Sequence, residues 1–91
     1  MRPFPDSEDT LLHYPASILK DDKGEVYVVT FRDIPEALTQ GYTHEEAVEN
    51  ALDALLTAFE FYAEDKRQIP LPSEAVSGEE LISVKSEIIG L

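Results

Sequence analysis

Residues 43–64 read THEEAVENALDALLTAFEFYAE, and their periodicity decides the fold. Val48, Ala51, Leu52, Leu55, Leu56, Phe59 and Tyr62 recur at spacings of three and four, which places them along one stripe of an amphipathic helix. Thr43 followed by Glu46 is the pattern of a capping box. The hydroxyl is expected to accept from the Glu46 amide while the carboxylate returns to the amide of Thr43. Glu45, Glu46 and Glu49 fall in the first turns, where the helix dipole favours negative charge. Lys66 and Arg67 suit the negative end, and Pro70 and Pro72 are expected to stop the helix.

Upstream of the helix the pattern changes from helical to extended. In LHYPASIL, residues 12–19, Tyr14, Ala16 and Ile18 alternate with His13, Ser17 and Leu19. Pro15 lacks a ladder donor, so this segment is expected to be an edge or bulged strand. Asp21, Asp22, Lys23 and Gly24 form a turn of about four residues, and VYVVTF, residues 26–31, is β-branched and aromatic. Asp33-Ile34-Pro35 breaks that strand, and a short third strand is expected over 37–41. Downstream, IPLPS (69–73) is an extended connector, Ser77 to Glu80 a turn, and LISVK (81–85) a fourth strand. The fold class is therefore α+β, in the order β-β-β-α-β: a small antiparallel-rich sheet of three to four strands with one long amphipathic helix. Residues 1–10 are expected to be a flexible acidic leader and 11–91 a single domain, with no C-terminal DNA-binding domain in the chain.

Charge restricts the function. The 91 residues carry 19 acids against 7 bases, a formal net charge of −12. Such a chain is repelled by nucleic-acid phosphate and by anionic membrane surfaces, and neither is expected as a direct partner. A domain of this size leaves little room for both a core and a deep catalytic cleft. Without cysteine there is no disulfide framework, thiolate nucleophile or Cys-based zinc site. No apolar run reaches the ~20 residues of a membrane span. The expected location is cytoplasmic.

Little catalytic chemistry is visible. His13 and His44 stand apart without companion motifs, and read as a strand residue and an exposed first-turn residue. No Gly-rich phosphate loop or Ser-His-Asp spacing is present. Asp33, Glu36, Glu46 and Glu49 could gather oxygen ligands around a divalent cation, which leaves a metal-dependent nuclease as an alternative. Glu45, Glu49 and Asp53 follow at i, i+4 and i+8, a spacing equally typical of a solvated face. The second face of the sheet is more informative. If Tyr27, Val29 and Phe31 face the helix, then Val26, Val28 and Thr30 lie with Ser17 on an uncovered face, a candidate subunit or protein interface. The leader or the C-terminal tail folding over that face is the competing reading.

Taken in order, YPA (14–16), the Gly24 turn, VYVVTF, DIP (33–35), TQG (39–41), Thr43 with Glu45-Glu46-Ala47, Asn50-Ala51 and PLPS (70–73) resemble the HicB antitoxin family. The resemblance covers about residues 14–85 and is closest over 31–73. It implies a partial ribonuclease-H-like arrangement. It also implies a non-enzymatic domain, without cofactor, that binds and covers a small basic HicA-type toxin, an mRNA-cleaving protein. Family members commonly continue into a DNA-binding module, and none is expected within these 91 residues. Candidate toxin contacts are Val28, Thr30, Asp33, Glu36, Thr39 and Gln40. A homo-oligomer, dimer or higher, is expected. A nuclease built on Asp33, Glu36 and Glu46, or a plain oligomerisation domain, are the other two readings.

Overall fold

The computed structural model describes residues 11–86; the proposed leader and the last five residues lie outside them. The elements are β1 (Leu11–Lys20), β2 (Tyr27–Phe31), β3 (Leu38–Gly41), α1 (His44–Glu64) and β4 (Glu80–Lys85). The four strands form one sheet in the order β3-β2-β1-β4, with every pairing antiparallel. The α+β class and the β-β-β-α-β order follow the sequence expectation.

The placement of β1 does not. It lies between β2 and β4, not at an edge, because its ten residues serve two partners in turn. Its first part pairs with β4, from Leu11↔Lys85 to Ala16↔Glu80, and its second part with β2, from Ala16↔Phe31 to Lys20↔Tyr27. The two ladders overlap only at Ala16. Pro15 pairs with Leu81 alone, one residue before the β2 ladder begins, so its missing N–H is tolerated in a strand that is topologically central. The β1–β2 connection is also longer than expected. It runs to Val26 because the Asp21 carboxylate accepts from the amides of Glu25 (2.8 Å) and Val26 (3.2 Å), extending the turn beyond Gly24, whose φ is +69°.

The helix bears Ala47, Ala51, Leu55, Ala58, Phe59 and Tyr62 on its buried face. It packs on Tyr14, Ala16 and Ile18 of β1, Val29 and Phe31 of β2, and Ile82 and Val84 of β4, all buried in one core. Tyr14 and Phe59 meet as a tilted aromatic pair, 5.5 Å between centroids. The expected stripe is displaced by part of a turn: Leu56 is only partly buried and Leu52 is exposed. Alanines at 47, 51 and 58 account for the shift, since small residues let the helix approach the sheet along their side. The tightest approach is at Gly41, where an added Cβ would lie 2.5 Å from the backbone nitrogen of Ala47.

Both helix ends depart from the expected chemistry. Thr43 caps as expected, its hydroxyl accepting from the Glu46 amide at 3.0 Å. The Glu46 carboxylate, however, reaches one residue further back and accepts from the Tyr42 amide at 2.6 Å. At the C-terminus the prolines come too late to act. The helix closes at Asp65, with Lys66 N–H donating to the Ala63 carbonyl and Arg67 N–H to that of Tyr62, while Lys66 takes φ +58°. This is a Schellman closure in which lysine holds the left-handed position usually given to glycine.

Residues 65–79 have no regular structure apart from turns, and side chains from the β2–β3 loop hold them in place. Asp33 accepts from the Ser73 amide (2.8 Å) and hydroxyl (2.6 Å). Glu36 accepts from Tyr62 Oη (2.7 Å) and Arg67 Nη1 (3.1 Å), and the Arg67 guanidinium stacks over the Tyr62 ring. Arg32 pairs with Glu79 (2.9 Å) and donates to the Glu74 carbonyl. Tyr14 Oη donates to the Pro70 carbonyl at 2.7 Å. Burial, followed by the nearby Asp33 charge, pushes the Tyr14 phenol up to about 12. The hydrogen bond from Tyr62, followed by its own backbone amide and then Arg67, holds the Glu36 carboxyl below its ordinary value.

Three outcomes are expected. Leu55, fully buried, should lose roughly 2–5 kcal/mol of stability as Leu55→Ala, read as a lowered urea midpoint. Gly41→Ala should cost about 1–3 kcal/mol, because the methyl group meets backbone that can move only by shifting the helix. For Glu36, a lowered folded pKa means its contribution is complete above the ordinary value of 4.5 and is lost as the pH falls through the folded value. Urea midpoints for wild type and Glu36→Gln should therefore differ at pH 7 and converge as the pH falls through and below the lowered value of the folded Glu36 carboxyl.

Candidate partner-binding face

With α1 on one side, strand alternation assigns the other side of the sheet. Partners across the ladders share a face, so Ser17, Leu19, Val28, Thr30, Leu38 and Gln40 lie together over β1, β2 and β3. Leu19 and Leu38 are each 65% exposed and Val28 is half-buried. Over β1 and β4 the same face carries Leu11, His13, Leu81, Ser83 and Lys85. His13 Nδ1 and Ser83 Oγ share a hydrogen bond of 2.7 Å. The staggered ladders thus divide the face into two patches that meet at residues 15–17. Leu19, Thr30, Leu38 and Gln40 of the first patch and Leu11, His13, Leu81 and Lys85 of the second are exposed, whereas Pro15, where the two meet, is fully buried.

The six expected contact residues separate by role. Val28 and Gln40 are direct cross-strand partners, and Thr30 pairs with Leu38, so these three belong to one exposed patch. Thr39 shares the helix side of the sheet with Val29, its ladder partner. Asp33 and Glu36 are committed to Ser73, Tyr62 and Arg67, and act first as tethers of the connector. The sequence alternation placed Leu19 on the same side as Ser17, but neither Leu19 nor Leu38 was among the expected contacts. Their alternation with the buried Ile18 and Ala37 was the available signal.

The carboxylates considered for a cation are not brought together. Glu46 serves the helix N-terminus while Asp33 and Glu36 serve the connector, and no group of three potential ligands occurs among the described residues. His44 Nε2 donates to Glu80 at 2.6 Å, which ties the start of the helix to β4.

Charge is distributed unevenly over the domain. Glu45, Glu49, Asp53, Glu60 and Glu64 are all exposed on a helix that contains no Lys or Arg. No strand residue that faces away from the helix is acidic. The molecule therefore has an acidic helical side and an acid-free, partly apolar sheet side. None of its described helices is long and apolar enough to cross a membrane.

Residues 13–86 match the family described as HicB-like antitoxin of bacterial toxin-antitoxin systems. Antitoxin HicB 1 of Photorhabdus laumondii is 61% identical over 61 residues, 67% of this chain and 39% of its own length. Antitoxin HicB of Escherichia coli is 53% identical over 73 residues, 80% of this chain and 52% of its own. The chain thus spans about half the length, or less, of these curated relatives. The crystal structure of the N-terminal domain of Burkholderia pseudomallei antitoxin HicB matches with a TM-score of 0.62 at 27% identity, covering 80% of this chain and 95% of that one. In sequence and in fold, the chain belongs to the HicB-like antitoxin family of bacterial toxin-antitoxin systems.

Proposed function

We propose that this domain neutralises a small, basic, HicA-type toxin in the cytoplasm by covering its RNA-binding and active surface, as a binding module and not an enzyme. The observation that carries the reading is the uncovered Val28, Thr30 and Gln40 patch in a member of an antitoxin family. Leu19 and Leu38 give that patch apolar area, and the hydroxyl and amide groups beside them supply hydrogen-bonding register. The exposed acids of α1 contribute at longer range. They attract a basic, RNA-binding protein and raise its association rate, while repelling RNA itself.

In this mechanism contact and steering belong to different sides of the domain. Asp33 and Glu36 contribute indirectly, by holding the loop that follows Thr30. The nuclease alternative has no comparable support, because its carboxylates each have a structural task elsewhere. Self-association is part of the proposal as well.

The test is co-expression with the adjacent small basic reading frame, followed by co-purification. Growth rescue and a stable complex are expected, and the absence of both would defeat the proposal. Thr30→Arg should weaken the complex by tenfold or more without changing the urea midpoint, consistent with a substitution at the centre of a contact patch. Charge reversal at Glu49 and Asp53 should instead slow association and flatten its salt dependence, leaving the dissociation rate nearly unchanged.

A further inference from the structure

Of the four tyrosines in the chain, three spend their rings inside the domain. Tyr14 packs on Phe59 and donates to the Pro70 carbonyl. Tyr27 lies under Lys20 Nζ, 5.5 Å from its centroid, and edge-on to His44. Tyr62 lies under the Arg67 guanidinium at 4.1 Å and donates to Glu36. Tyr42 does none of this. Its side chain is 74% exposed, and among the described residues only its backbone amide is engaged, by Glu46.

The position makes that exposure unusual. Tyr42 precedes the N-cap Thr43, where an apolar side chain commonly folds back on the fourth residue of the helix. Here that residue is Ala47, and the Gly41 backbone already lies against it. An added Cβ on Gly41 would point at the helix, so alternation turns Tyr42 the other way, to the side of Gln40 and Leu38. The ring is turned out while its backbone is held. The Glu46 carboxylate accepts from the Tyr42 amide at 2.6 Å, and the Thr43 hydroxyl accepts from the Glu46 amide at 3.0 Å. A tyrosine on a fixed backbone offers a large contact area at low cost in entropy.

We infer that Tyr42 is the aromatic anchor of the partner contact, its ring receiving a Lys or Arg side chain of the basic partner, with Glu46 as the residue that positions it. The inference rests on the reading of the domain as the binder of a basic toxin, and adds where that contact is anchored. With 7 bases against 19 acids the chain has few cations of its own, and those it places on rings serve Tyr27 and Tyr62. A partner cation within about 6 Å of the Tyr42 centroid gains the same attraction, and gains more as the contact excludes water. The helix N-terminus opposes it with about half a positive charge, which the two carboxylates of Glu45 and Glu46 outweigh. Tyr42 also stands where the acidic helix meets the acid-free side of the sheet. A basic protein attracted by the first reaches the second there.

The test has two arms. In the first, the full chain alone is titrated with a tetra-arginine peptide and followed by NMR, so the result does not depend on a toxin. The Tyr42 ring signals should shift and the arginine methylene signals move upfield, an effect kept by Tyr42→Phe and lost in Tyr42→Leu. Phe61, 53% exposed on the same acidic helix, reports non-specific attraction. In the second arm, with the co-purified toxin, Tyr42→Leu should weaken the complex at least about fivefold at an unchanged urea midpoint, and Tyr42→Phe by less than about twofold. Glu46→Ala should weaken it too, and Glu46→Gln, which keeps an acceptor for the Tyr42 amide, should restore it. Equal shifts at Phe61 and Tyr42, or a leucine that binds as well as tyrosine, overturns the inference. Failure of the wild-type complex to form defeats the functional reading instead, and the peptide arm still decides the role of Tyr42.

Discussion

The approach of α1 to β3, backbone against backbone at Gly41 and Ala47, is the constraint on which the rest of the structure depends. It brings the helix down on one face of the sheet, and Ala51 and Ala58 keep it low along the same line. Leu55, Phe59 and Tyr62 then reach Tyr14, Val29 and Phe31 without a gap. Covering one face this closely leaves most side chains of the other face exposed, Leu19, Thr30, Leu38 and Leu81 among them. The open face is therefore a consequence of having a single helix.

A long connector without regular structure would ordinarily be a weak point in so small a domain. Here it is held by charged and polar groups of the β2–β3 loop: Arg32, Asp33 and Glu36 each secure a different part of it. These pairs are largely exposed, so each stabilises modestly, and their value lies in number and placement. They also fix where β2 ends and β3 begins, and so position Thr30 and Leu38 on the open face. The side chains that first suggest a reactive carboxylate cluster are the ones that hold the loop between the two strands of the exposed patch.

The division of charge gives the domain two kinds of surface. Exposed acids crowd α1, whereas the strand residues that face away from it include none. The −12 charge, taken as one number, argues only against nucleic acid and membranes. Its distribution adds that a basic protein can be attracted from one side while contact surfaces elsewhere remain free of like-charge repulsion.

The sequence by itself determined the helix, its N-cap, the strand order along the chain and the alternation that separates Tyr14, Ala16 and Ile18 from His13, Ser17 and Leu19. These are local properties, set by side-chain period and by capping groups three residues apart. The motif order also carried the family. Tertiary structure alone decided that β1 is central, because that depends on where two ladders overlap and not on Pro15 itself. It decided that Asp33 and Glu36 tether residues 73 and 67, since such pairings join segments more than thirty residues apart. It also moved the buried stripe of α1 away from Leu52, because how deeply a helix sits depends on the glycine beneath it.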